Sequence, residues 1–218
     1  HGTHVAGSVL GDGTDSSGNI KGMAPEARLY FQSVGSYCAN NPPGERNTLL
    51  GIPTNKTDLF RFAAENGSRV HTNSWGNTCS PSAPCYSEYT MGSLQADIAA
   101  REYTNMTILF SAGNSGADAN LNGEVDFDSL GNPATAKNVF TVGASENNRP
   151  NLNYVWGSSY GSPINNDLRA DNISGMAPFS SRGPVDDGRL KPDISAPGTF
   201  ILSTKSRSTT SVGWLGYN

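Results

Sequence analysis

Two histidines stand at the head of this chain, in HGTHVAGSVLG (1–11), and theirs is the first chemistry to explain. Gly2 and Thr3 allow a turn, Val5, Ala6, Val9 and Leu10 recur at helical spacing, and Gly11 supplies a stop. The stretch therefore reads as a helix with His1 at its N-terminus and His4 one turn later. The positive end of a helix macrodipole disfavours imidazolium, so a histidine there leans toward the neutral form that a general base requires. A capping or core histidine is the plainer reading. The His-x-x-His spacing also suggests zinc, which is not adopted because the chain holds only three histidines and no Cys or Glu lies nearby at ligand spacing.

Further along, Asn114 follows FSAG at the end of an apolar run. An amide N–H placed where a sheet opens can stabilise the negative oxygen of a tetrahedral intermediate, although GNSG is also ordinary turn chemistry. In DANLNGEVDFDS (118–129), Asp118, Asn120, Asn122 and Asp126 have the spacing of a calcium loop, with Gly123 at the sharp turn and the Glu124 carbonyl completing the set. The acid usual at the twelfth position is replaced by Ser129, with Asp128 one place early, and a solvated acidic loop is the alternative. Cys79 and Cys85 in CSPSAPC fit a small disulfide loop in an oxidising compartment, which leaves Cys38 over; three unrelated thiols is the other reading. GSSYG (157–161) matches a nucleophile elbow centred on Ser159, but the polar stretch after it, containing Pro163, gives no helix for such an elbow to start.

The elements that must position these residues alternate. RLYFQSV (28–34) reads as a strand, TDLFRFAAENG (57–67) as a helix ending at Gly67, and RVHTNSW (69–75) as the next strand. SLQADIAAREY (93–103) is helical, with Leu94, Ile98 and Arg101 on related faces, and MTILFSAG and NVFTVGAS are two more strands. Strands of near-continuous apolar character separated by helices indicate an α/β fold, a parallel sheet with helices on both faces, in which ligands gather beyond the carboxyl ends of the strands. The 218 residues suffice for one sizeable core. A net charge of −4 without a basic run argues against nucleic acid, and no apolar run has the length of a membrane span. No signal peptide is present, which says little if the true N-terminus lies upstream.

The residues just after the strands form an ordered set: HGTHVAG, NSWG, SAGNSG, then FSSRGP and PDISAPG. Together they resemble the subtilisin-like serine proteases, the subtilases, in that family's order and from His1 to about Thr204; KGMAPEARLYFQSV and NPATAKNVFTVGASE look most like the large alkaline subtilases of bacilli and related bacteria. The resemblance implies a subtilisin-like fold and a secreted, extracellular, monomeric serine endopeptidase that cuts polypeptides through an acyl-enzyme. It makes His1 the catalytic base, His4 structural and Asn114 the side-chain donor of the oxyanion hole. It makes Ser74, Trp75 and Gly76 a substrate-binding edge, Ser111, Ala112 and Gly113 the opposite wall of the specificity pocket, and Gly131 with Asn132 its floor. Small uncharged residues there imply a flexible polypeptide substrate with an apolar or medium-sized residue before the cut, and the precursor would also bind its own propeptide.

Two parts of that pattern do not occur in the sequence. The family's orienting Asp precedes its His, and its nucleophile sits in a GTSMA-type motif that follows SAPG; the chain has neither. Asp12 and Asp15 follow His1 and are on the wrong side for that order. The expectation is a partial peptidase domain over 1–218, a fragment incomplete at both ends and inactive by itself.

Overall fold

The structure, a computed structural model, describes residues 1–37, 47–77 and 86–207. Cys38, Cys79 and Cys85 lie outside these residues, and so does the disulfide reading. The chain forms two compact units, one of His1–Ser33 with the chain from Ile201, the other of Val34–Phe200. No helix among the described residues is long and apolar enough to cross a membrane.

In the first unit the opening stretch is helix α1 (Gly2–Leu10), with His1 as its N-cap residue and Gly11 as its C-cap. The helix is tied to the returning chain by hydrogen bonds. His4 Nε2 lies 3.2 Å from the Ile201 carbonyl, Ser203 Oγ donates to the His4 carbonyl at 2.6 Å, and Thr204 Oγ1 donates to the Thr3 carbonyl at 2.8 Å. His4 thus has a backbone partner in the returning chain. Residues 28–33 form no strand: Leu29, Tyr30 and Phe31 are exposed and have no ladder partner among the described residues, so β-prone side chains alone do not make a strand there.

The second unit opens with a two-residue antiparallel pair, β1 (Ser36–Tyr37) and β2 (Asn47–Thr48). There follow α2 (Thr57–Glu65), β3 (Val70–Asn73), α3 (Met91–Glu102), β4 (Thr107–Ser111), β5 (Phe140–Ser145) and β6 (Ile194–Pro197). The last four strands form one parallel sheet in the order β3-β4-β5-β6. Parallel strands require long crossovers, and α3 supplies the one between β3 and β4.

Phe60 and Ala63 of α2, Ala96 and Ala99 of α3 and Ile108 and Phe110 of β4 share one buried cluster with Met106, Ala134, Ala136 and Val139. Alternation along β4 explains why Ile108 and Phe110 face this cluster together. On α3 the inward face carries small residues, whereas Leu94 and Ile98 are 39% and 45% exposed. Small side chains let the helix approach closely, so the largest apolar residues do not mark the buried stripe. Asp97, buried on the same helix, accepts hydrogen bonds from the Asn138 N–H at 2.6 Å, the Lys137 N–H at 3.0 Å and Tyr89 Oη at 2.6 Å. Burial, followed by the Asp97 carboxylate, pushes the Tyr89 hydroxyl up to about 12.

His71 on β3 packs against Phe60 with ring centroids 4.9 Å apart, and Asn73 Nδ2 lies 3.0 Å from its Nδ1. An amide nitrogen only donates, so Nδ1 is the unprotonated acceptor of a neutral ring. Burial pushes this imidazole down to about 4. Between about 6.5 and that value the unfolded chain binds more protons than the folded one, so the stabilising contribution is complete above about 6.5 and declines as pH falls, by about 3 kcal/mol in all. Urea unfolding of the full-length protein at both ends of this window should show the loss, and His71→Phe should lack it. Parallel losses in the two proteins would exclude His71 as the titrating group.

Candidate active site

The three segments that leave β3, β4 and the connection before β5 meet beyond the carboxyl ends of the strands. Ser74, Trp75 and Gly76 follow β3 directly. Trp75 donates its indole N–H to Asn73 Oδ1 at 3.1 Å and meets Phe110 edge-on at 5.4 Å between centroids. Asn73 is itself buried and donates to the Leu109 carbonyl at 3.0 Å, so the indole is held to the end of β4 through one amide. The Asn77 N–H donates to the Asn132 carbonyl at 2.9 Å, and that of Gly131 to the Ala112 carbonyl at 3.4 Å. A Cβ on Gly131 would lie 2.7 Å from the Asn77 carbonyl oxygen, so this close approach requires glycine. Ser74–Gly76, Ser111–Gly113 and Gly131–Asn132 are thereby brought together.

Asn114 sits at the mouth of this arrangement, exposed, immediately after Gly113. Gly113 has φ of 113°, outside the range that side-chain-bearing residues adopt comfortably. Asn114 thus follows a backbone conformation that favours glycine, three residues beyond the last residue of β4. His1, by contrast, belongs to the smaller unit, as the exposed N-cap residue of α1.

Residues 118–126 curl back on themselves in a loop. Leu121 and Gly123 both take positive φ, at 56° and 86°. Asp118, buried, accepts hydrogen bonds at Oδ1 from the Asn122 N–H at 3.0 Å and at Oδ2 from the N–H groups of Gly123 at 2.9 Å and Gly161 at 2.7 Å. Burial works to raise its carboxyl, and the backbone N–H groups of Gly161, Gly123 and Asn122 outweigh it and hold it below the usual carboxylate range. Asn120 Oδ1 accepts from the Asn122 N–H, Asn122 Oδ1 from the Glu124 N–H, and Asp126 Oδ2 from the Ala119 N–H. For the calcium reading of this loop the geometry supplies a turn with Gly123 at positive φ. The charge is thin: among the described residues no three His, Cys, Asp or Glu gather, so Asp118 and Asp126 would carry the site with neutral oxygens.

Two features were not weighed in the sequence. Glu146, directly after β5 and buried, accepts from Trp156 Nε1 at 3.2 Å and the Asn172 N–H at 3.3 Å, and burial raises its carboxyl above the usual range. It anchors the 147–175 connection, where Gly157–Gly161 forms turns and only a three-residue 3-10 turn, Ile164–Asn166, follows, so Ser159 is on no strand-to-α-helix elbow. Ser181, within the FSSRGP motif, touches the backbone around Asn114. The motif was visible, but nothing in its composition distinguishes one serine from the other.

The subtilase family model matches residues 1–217, and the chain belongs to the subtilase family. Among its curated relatives is the serine protease AprX of Bacillus subtilis (strain 168), 30% identical over 94% of this chain and 39% of the relative. The serine protease/ABC transporter B family protein tagB of Dictyostelium discoideum is 29% identical over 99% of this chain and 13% of that protein. Among solved structures, Sphericase superposes with a TM-score of 0.50 at 23% identity, covering 92% of this chain and 53% of its own, which shows a subtilisin-like α/β fold. The chain thus spans well under two thirds of these proteins' lengths.

Proposed function

We propose that this chain carries the base and the oxyanion donor of a secreted, monomeric serine endopeptidase that cleaves flexible polypeptides through an acyl-enzyme. The observation that carries the reading is the exposed Asn114 amide at the end of β4, beside the walls formed by Ser74–Gly76, Ser111–Gly113 and Gly131–Asn132. A serine hydroxyl of the full-length protein attacks the scissile carbonyl carbon while the neutral His1 imidazole takes its proton. The carbonyl oxygen becomes an oxyanion, and the Asn114 Nδ2–H donates to it. The intermediate collapses with cleavage of the C–N bond, His1 returns the proton to the leaving amine, and water then releases the acyl group by the same steps. The uncharged walls suit an apolar or medium-sized residue before the cut, and the precursor's propeptide would occupy the same cleft. The 218 residues alone are inactive on this reading. Casein hydrolysis by the matured full-length protein tests it; no hydrolysis would favour a non-catalytic peptide-binding relative.

Calcium at Asp118, Asn120, Asn122 and Asp126, with the Glu124 carbonyl, belongs to the same proposal as a structural ion. A hard cation accepts six to eight oxygens in flexible geometry, and its charge would relieve repulsion between the two carboxylates. Binding to the folded state alone stabilises by RT ln(1 + [L]/Kd), so calcium should raise the melting temperature of the full-length protein above its value in chelator. The double variant Asp118→Ala with Asp126→Ala should lose part of that calcium-dependent rise. An equal rise in both proteins would place the ion elsewhere.

A further inference from the structure

Asn114 is bracketed by a single residue from a distant part of the chain. The Ser181 N–H donates to the carbonyl of Gly113, the residue before Asn114, at 3.1 Å. The Ser181 Oγ accepts from the N–H of Ser115, the residue after it, at 3.0 Å. The next N–H, of Gly116, donates to the Phe179 carbonyl at 2.9 Å. Ser181 is fully buried, and a Cβ on Gly113 would lie 2.7 Å from its Oγ, so the two segments are in direct contact. Neighbouring Ser180 accepts from the Ala144 N–H at 3.0 Å, which fastens the same segment to β5. Asn114 is therefore exposed on a backbone fixed on both sides.

We propose that Ser181 is the positioning residue for the Asn114 amide, an inference that rests on the oxyanion reading of Asn114. An oxyanion donor works because it is already aimed before charge develops, and a small misplacement costs much of its effect. The Ser181 backbone N–H survives substitution by alanine or cysteine, whereas its hydroxyl is the side-chain acceptor that the Ser115 N–H finds among the described residues. Removing the hydroxyl leaves that part-buried N–H facing a methyl group and frees the turn on the far side of Asn114. The loss falls on the transition state, since the ground-state carbonyl makes little use of the donor.

The test is a double-mutant cycle in the full-length protein, assayed on a peptide p-nitroanilide with an apolar residue before the bond. Ser181→Ala should lower kcat about tenfold with KM nearly unchanged. In an Asn114→Leu background the same change should alter kcat by less than about twofold, because there is no donor left to aim. Ser181→Cys, which keeps the side-chain shape at slightly greater bulk and weakens the acceptor, carries the same comparison should the alanine variant fail to fold. A tenfold loss in both backgrounds, or none in either, overturns the positioning role while leaving Asn114 untouched. If Asn114→Leu by itself leaves kcat intact, the oxyanion reading is what fails.

Discussion

Replacing His1 by alanine in the full-length protein is expected to lower kcat by about a million-fold, a scale set by the catalytic histidine of subtilisin, itself of this family. The physical reason is that a serine hydroxyl is a poor nucleophile until a base removes its proton during attack. Without the imidazole, the amine also leaves without a proton donor, so the two halves of the reaction fail together. KM should change little, because the imidazole contributes to the reacting centre and not to the walls that grip the substrate. Steady-state kinetics on a peptide p-nitroanilide, with melting curves to confirm an unchanged fold, provide the check. A loss of only tenfold would place the base elsewhere and return His1 to an ordinary helix-terminal residue. Its place as N-cap residue of α1 accommodates that outcome without strain.

The second large effect is expected from Asn114→Leu, a fall in kcat of about a hundred- to a thousandfold with KM little changed. Leucine nearly conserves volume and removes the N–H. On the proposed reading the donor serves an oxygen that carries full negative charge only in the tetrahedral intermediate, so its absence should raise the barrier by roughly 3 to 4 kcal/mol, the range established in subtilisin. Asn114 is exposed, so little stability should go with it. If the loss appears in KM alone, Asn114 grips the ground state and the oxyanion role must be withdrawn.

How far the sequence led to these residues depended on whether local pattern and tertiary contact agreed. The periodicity of Val5, Ala6, Val9 and Leu10 located α1, and the apolar runs located β3, β4 and β5 within a residue or two, because each needs only its own side-chain alternation or helical spacing. RLYFQSV has the same strand-like composition and forms none, because a strand also needs a neighbour to pair with. On α3 the sequence showed Leu94, Ile98 and Arg101 on related faces, but the buried positions, Ala96 and Ala99, were not marked by size. The segments Ser74–Gly76, Ser111–Gly113 and Gly131–Asn132 were legible in the sequence as motifs. What holds them was not: Asn73 reaching Trp75 and Leu109, or Ser181 reaching Ser115, are contacts between segments whose proximity only the fold creates. The alternate oxygens of 118–126 were visible in the sequence, yet the commitment of Asp118 to Gly161, across 43 residues, depends on where the 147–175 connection folds back.

The central claim is that a serine in the full-length protein is activated by His1 of this chain. Intact-mass measurement after treatment with a phosphonofluoridate, which reacts with serines made nucleophilic by an adjacent base, tests it most directly. The account predicts a single phosphonyl adduct on the wild-type protein and none on His1→Ala under the same exposure. An unlabelled wild-type protein, or one labelled equally with and without His1, would contradict it.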